Sequence, residues 1–438
     1  GIAGDGKQLR DRAFHALTQY FRLLVRDRNA RVVVLLDDLH WADDGSIDFI
    51  DYLAQACRDL PMMVLCLARP ALDERRPQWG SGFSNHQRID LGPLSKRSSH
   101  QLLESLLSRL GPVPATLYDI VTSDAEGNAY FIEELVAMLI DDGVIVTGGD
   151  RWRMAADRLV DVPIPSTLAG VLQARLDGLP PEEKRALQLG SVIGHVFWDE
   201  PLRDAGPETT EALEGLRRRD LIRAQQPSSF EGVREYAFKH HLLHQVTYDG
   251  VLRGDKRHQH RLTAEWLVAR SGEHSGQLYG VIADHYEHAA DSASAAAYWH
   301  RAADVAVGGH ATDAALSYLE KALDLTSADE PALRYELIRK RIQLLNLMGR
   351  RREEESQLSE LERLAETLDD DAKRAGVLSL RALLLLASGD SLAAAAAAAR
   401  GAPLADKSGY TPVALHARSV WASAARSAGD HARARVLA

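Results

Sequence analysis

From about residue 278 to the end, helical periodicity runs without a strand signal, and it is punctuated by Gly349, Gly389 and Gly429 at 40-residue intervals. Each of these glycines separates a Leu/Ala-rich helix from a charged or Ala-rich one. Helix pairs of this kind cannot bury their apolar faces alone, so the spacing predicts a stacked solenoid with a concave partner surface. A plain helical bundle is the alternative. The alanine tract Ala393–Ala399 reads as close helix packing, where small side chains let backbones approach, and not as disorder.

The rest of the 438 residues is long enough for further domains. Hydrophobic residues are 45% and charged residues 26%, which excludes a wholly disordered chain. A net charge of −10 excludes a generally basic nucleic-acid coat, though not one basic patch. Two cysteines, Cys57 and Cys66, offer no disulfide framework and fit a reducing compartment. No apolar run approaches the roughly 20 residues of a membrane helix and no signal peptide opens the chain, so the expected location is cytoplasmic, with no membrane partner. Gly1 and the helical pattern running into Ala438 read as fragment boundaries.

Residues 8–29 carry helical spacing. The run Val32-Val-Val-Leu-Leu36, ended by Asp37-Asp38, reads as a fully buried parallel strand. Ser46–Cys57 is expected as a helix with Ser46 as N-cap, Met62–Ala68 as a second buried strand, Arg88–Leu91 as a third, and Ser98–Leu110 as a helix. Strands alternating with helices predict a doubly wound α/β module. Phe131–Asp142 is an amphipathic helix closed by Gly143, and residues 144–165 read as a hairpin and linker with Gly148-Gly149 as its turn. Short helices and a strand pair near Leu221-Ile222 and Tyr236–Phe238 fit a winged-helix unit.

The strongest chemical signal is Asp37-Asp38-Leu-His40-Trp41-Ala-Asp43 at the end of the first strand. Ligands bind at the carboxyl ends of parallel strands. In a nucleotidase the first carboxylate there holds Mg2+ and the second orients the attacking water, which gives Asp37 the metal role and Asp38 the water role. The alternative is two acids that merely end a strand. Gly1-Ile-Ala-Gly-Asp-Gly6-Lys7 formally fits a phosphate loop. Gln8 replaces the Mg2+-binding hydroxyl, however, and no strand precedes Gly1, so the match reads as accidental and the true loop is expected upstream. Arg69, past the second strand, is a γ-phosphate sensor or a solvent-facing strand end. Glu126-Gly127-Asn128-Ala129-Tyr130 is a turn that lays backbone against a base, or a simple helix start. His240 and His244, four apart, share a helix face but lack the cysteines or carboxylates of a zinc set, so the cluster reads as a core-edge helix. Arg217–Arg219 and Lys256-Arg257-His258 read as solvated faces, and DNA is not an expected partner.

Several segments jointly resemble one family, the signal-transduction ATPases with numerous domains. VVVLLDDLHWADDGSIDFIDYL is similar to its Walker B segment, GNAYFIEELVAMLIDDGVI to its helical lid, and YAFKHHLLHQVTYDGVL to its winged helix. ALSYLEKALDL, from Ala315, has the spacing of a second tetratricopeptide helix. The resemblance implies a partial P-loop NTPase α/β core over 1–111, a helical lid and linker over 112–165, a winged helix over 166–272, and tetratricopeptide-like repeats over 273–438. It also implies ATP or ADP with Mg2+, held between the α/β core and the winged helix. Asp37 then inherits the metal through water, Asp38 the attacking water, Arg69 the sensor role, and His240 the β-phosphate. A protein or small-molecule signal is expected on the repeats, with an output domain elsewhere in the parent chain. The nearest flavour is the ATPase-plus-repeat half of bacterial class III adenylate/guanylate cyclases; LuxR-type activators share the architecture, and a repeat scaffold with a degenerate ATPase core is the remaining alternative. The family's Gly-Asn-Pro turn is Gly127-Asn128-Ala129 here.

Overall fold

The computed structural model describes residues 6–28, 31–82, 85–110, 113–115, 117–119, 125–148, 151–155, 164–206, 208–272, 275–409 and 411–437. The chain divides into two units, Gly1–Gly92 and Pro93–Ala438.

In the first unit, helix α1 (Gly6–Arg28) precedes strand β1 (Val32–Leu36), helix α2 (Asp44–Ala56), strand β2 (Met62–Cys66) and the short helix α3 (Ala71–Arg75). β1 and β2 pair in parallel from Val32↔Met62 to Leu36↔Cys66, as a right-handed crossover through a helix favours. Phe14 packs α1 onto Phe49 and Tyr52 of α2 at ring-centroid distances of 5.2 and 5.7 Å. Arg22 fastens the other end by bonding the Ala56 carbonyl and Asp59.

Three expectations are corrected here. Both strands alternate covered and exposed residues and are not buried on both faces: Leu36, Val64 and Cys66 pack on a small core of Leu39, Ile47, Ile50 and Leu72, while Val33 and Leu35 stay 65% and 60% exposed. Arg88–Leu91 forms no strand, because its apolar residues find nothing to cover them and Ile89 and Leu91 lie exposed. The N-cap of α2 is Asp43, not Ser46. Its carboxylate accepts from the Ser46 backbone N–H at 2.9 Å and the Ser46 hydroxyl at 2.8 Å, so the serine is the cap's partner.

The second unit opens with helices α4 (Lys96–Leu106) and α5 (Ala129–Asp141), packed through Leu103, Leu107, Phe131, Leu135 and Leu139. Gly143 takes the left-handed conformation that ends α5 (φ 67°). A two-stranded antiparallel ribbon follows, β3 (Ile145–Val146) with β4 (Arg153–Met154). Gly148 lies in its connection; Gly149, the other proposed turn residue, falls outside the described residues.

Next come α6 (Leu168–Asp177), α7 (Pro181–Ile193), β5 (Val196–Trp198), α8 (Thr209–Arg218), β6 (Ile222–Gln225), β7 (Glu235–Phe238) and α9 (His241–Asp249). The strands form one antiparallel sheet in the order β5-β7-β6, over a core that includes Leu172, Leu187, Phe197, Leu213 and Tyr236. The sheet and the helices around it share that one core. The β6–β7 pair was anticipated; β5, only three residues long, was not.

Ten helices complete the unit among the described residues: α10 (Arg253–Arg270), α11 (Ser275–His288), α12 (Ser292–Gly308), α13 (Thr312–Leu325), α14 (Pro331–Met348), α15 (Arg351–Thr367), α16 (Asp371–Ala387), α17 (Ser391–Lys407), α18 (Thr411–Ser427) and α19 (His431–Leu437). Each packs chiefly on its sequence neighbour. Gly349, Gly389 and Gly429 follow α14, α16 and α18, each with positive φ (71°, 86° and 85°), so the 40-residue period marks the turn inside successive helix pairs. Ala394, Ala397, Ala398, Ala402 and Ala405 of the alanine-rich α17 are buried, so the tract is close packing as expected. No helix among the described residues is long and apolar enough to cross a membrane.

Candidate functional site

The chemistry-bearing residues gather in two places, one in each unit. In the first unit β1 delivers Asp37 and Asp38 to the carboxyl end of the parallel pair. Asp38 adopts the left-handed conformation (φ 52°) and its backbone N–H donates to Asp37 Oδ1 at 2.9 Å. That bond engages one oxygen of Asp37, an exposed residue, and the Asp38 side chain is 57% exposed.

Behind the acids, a turn of 3-10 helix (Leu39–Trp41) buries His40. Its Nδ1 accepts from the Arg69 backbone N–H at 3.4 Å and lies 3.8 Å from Asp38 Oδ1. A neutral imidazole accepting at Nδ1 carries its proton at Nε2, and His40 Nε2 is buried with no hydrogen-bond partner among the described residues. A buried orphan donor costs about 1–3 kcal/mol, the kind of expense that proteins retain where a ligand completes the bond.

The structure thus brings Arg69 to the acid turn through its backbone, and its side chain is exposed. Two residues that the sequence reading missed clamp the same turn. Arg75 donates to the Ala42 carbonyl at 2.6 Å and the His40 carbonyl at 3.3 Å, and Arg76 bonds Asp44 and Asp48 at 3.0 Å each. Nothing in the string Glu-Arg-Arg announces that; only the β2–α3 turn aims both guanidinium groups back at residues 40–48.

Oxygen ligands on an exposed strand end suit a hard cation such as Mg2+, so Asp37 and Asp38 fit a hydrated Mg2+. The phosphate-loop match is otherwise placed. Gly6 and Lys7 begin the backbone of α1, and residues 1–5 lie outside the described residues.

In the second unit, the Glu126–Tyr130 turn starts α5. Asn128 Oδ1 accepts from the Tyr130 and Phe131 N–H groups at 3.0 and 3.3 Å. Gly127 is left-handed (φ 77°), its carbonyl accepts from Leu94 N–H at 2.8 Å, and a Cβ there would meet Leu94 O at 2.4 Å. No other residue fits. Beside the turn lies a cavity of ≈ 520 Å³ lined by Glu126, Asn128, Phe131, Ser166 and Thr167.

Tyr130 meets the ring of His240 at 4.0 Å, and Tyr130 Oη and His240 Nε2 are both buried without partners among the described residues. Burial, then the charges of Lys239 and Arg223, bring the His240 pKa down to about 4. At neutral pH it therefore offers a neutral imidazole and not a cation. Beneath this seam Glu134 and Arg175 form a buried ion pair. Arg175 also donates to Asp141 at 3.0 Å and to the Arg219 carbonyl at 3.1 Å. Burial pushes the Glu134 carboxyl up from its ordinary range, and Arg175 opposes that shift.

The four-residue spacing of His240 and His244 does not make a pair. His240 turns toward Tyr130, and His244 gathers instead with His195 and His241.

No family model matches the chain. An uncharacterized protein of Rhizobium meliloti (strain 1021) is 25% identical over 328 residues, 73% of this chain, and the chain spans 30% of that protein's length. A crystal structure of a signal transduction ATPase with numerous domains, with a tetratricopeptide repeat sensor, from Pyrococcus horikoshii matches 97% of this chain and 63% of its own at 11% identity and a TM-score of 0.42. A likeness at that level assigns neither fold nor function.

Proposed function

We propose that this chain is the nucleotide switch and sensor of a regulatory ATPase of the class with numerous domains, with the output domain, a class III adenylate/guanylate cyclase, outside these residues. The observation that carries the reading is the end of β1. Adjacent carboxylates stand at the carboxyl edge of a parallel strand, one left-handed, over a buried histidine with an orphan nitrogen. The spread of the chain over less than a third of its bacterial relative is compatible with further domains.

Bound ATP with Mg2+ would supply the transferable phosphoryl group. Asp37, fixed by the Asp38 N–H, would hold the metal's water shell with its free oxygen. Asp38 would orient a water, and Arg69 would approach the terminal phosphate. On the repeats, a cavity of ≈ 660 Å³ lined by Tyr335, Glu336, Arg339, Lys373 and His416 would take a signal molecule carrying both polar and apolar groups.

The test is nucleotide turnover and signalling in the full-length polypeptide. Asp38→Asn is expected to cut turnover by about 10²–10⁴-fold, the usual contribution of a positioned acid–base group, while ATP still binds. Turnover and signalling unchanged by Asp38→Asn would overturn the reading and leave a scaffold.

A further inference from the structure

The three-stranded unit gathers a second set of side chains to which the nucleotide reading gives no role. His195 lies in the turn between α7 and β5, and its carbonyl accepts from Phe238 N–H at 2.9 Å, which ties that turn to β7. His241 and His244 stand three apart in the first turn of α9, on one helix face. The rings form a nearly equilateral triangle, with centroids 5.6, 5.8 and 5.9 Å apart, and one nitrogen from each lies within 4.8 Å of the others.

We propose that His195, His241 and His244 form a binding site for a divalent transition metal of the zinc class, with water in the fourth position. Three imidazoles and no carboxylate select zinc and its neighbours over Mg2+ or Ca2+. The outer shell is already in place: His244 Nε2 lies 2.8 Å from the buried Ser191 carbonyl and donates to it, so Nδ1 keeps the lone pair for a metal. Tetrahedral Zn2+ at about 2.0–2.1 Å sets its nitrogens roughly 3.4 Å apart, within reach of small imidazole rotations. Phe238, whose ring lies 5.0 Å from that of His244, walls one side of the cluster with apolar surface. The metal would clip the α7–β5 turn to the start of α9, beside the His244–Ser191 bond that already joins α9 to α7. Because His240 immediately precedes α9, the clip would also fix the backbone from which that residue reaches Tyr130.

The experiment is a Zn2+ titration of the chelator-stripped chain against a chromophoric competitor, with Co2+ absorption as a second readout. The expected result is one tight equivalent, a Co2+ spectrum of tetrahedral nitrogen coordination, and at least a tenfold loss of affinity in His241→Ala. His241 is exposed, so this variant should keep the fold. His288→Ala, in the repeat helix α11, should bind as the parent does. No stoichiometric uptake by the parent chain, or uptake that His241→Ala leaves unchanged, would overturn the proposal. Neither result bears on Asp38, so the metal site and the nucleotide reading fail separately.

Discussion

The β1–β2 sheet and the helical array bury apolar side chains to very different degrees. In the sheet, Val33, Leu35, Met63 and Leu65 keep 65%, 60%, 56% and 41% of their surface exposed, and the core beneath consists of four buried residues. In the array, Leu319, Leu337, Ile342, Leu358 and Leu361 are wholly buried in one cluster that runs from Ala264 to Leu384. The difference follows from where each element finds its partner. A repeat helix meets its neighbour a few residues along the chain, so local sequence completes its core. A parallel strand exposes two faces, and a two-stranded sheet with helices on one side leaves the other open. The acids at the end of β1 therefore sit in the weakly packed unit, while the helical array has one continuous core.

The largest test lies at the buried pair. Glu134→Ala leaves the Arg175 guanidinium without its main counter-ion, and should cost about 3–5 kcal/mol in chemical denaturation. Joint replacement by leucine and methionine should recover most of it, and a small single-variant effect would mean that Asp141 alone can hold Arg175.

Leu319→Ala in the array is expected to cost about 2–5 kcal/mol, against no more than about 0.5 kcal/mol for Leu35→Ala on the open sheet face. Native-state hydrogen exchange at α13 and β1 reads the two separately. Equal losses would break the contrast between the regions.

Acidification should weaken the array before the sheet. His260 and His285, joined Nδ1 to Nδ1 at 2.8 Å, are pushed by burial down to about 3 and about 4. Both states are neutral above the ordinary value of about 6.5. Below it the unfolded chain gains protons that the folded chain refuses, so stability should fall from pH 6.5 toward 4 by at most about 1.4 kcal/mol per pH unit for each group. His288, raised to about 9 by its bond to Asp284, acts oppositely. Its stabilisation is complete below 6.5 and fades as pH rises through 9. Thermal melts from pH 4 to 10 should therefore show a maximum between the two limits, and a flat acid limb would refute the assignment.

The smallest effect concerns a cap. Asp43→Ala removes the acceptor for two Ser46 groups and should cost about 1 kcal/mol, seen as faster exchange at the first turn of α2. Asp43→Asn should restore most of it.

What was legible in the sequence is what short range decides. β1 matches the apolar run Val32–Leu36 residue for residue, and the 40-residue glycine period falls on three helix-pair turns. Composition and periodicity act there through backbone sterics and nearest-neighbour burial, which need no knowledge of distant segments. The strand expected at Arg88–Leu91 failed because a strand exists only where a neighbour pairs with it, and a few apolar residues cannot declare one.

The site divides along the same line. The position of Asp37 and Asp38 at the end of β1 was readable because a strand end presents consecutive residues at one edge. The clamp of Arg75 and Arg76, the approach of His240 to Tyr130 and the assembly of His195 with His241 and His244 were not. Helical spacing paired His244 with His240, whereas the fold paired it with a residue 49 positions earlier, because β5 and β7 bring the α7–β5 turn beside the start of α9. Local propensity and the period of the helix pairs, then, were determined by the sequence on its own. Which side chains face one another across a sheet or turn was decided only by tertiary contacts, since closure between distant segments depends on every element that lies between them.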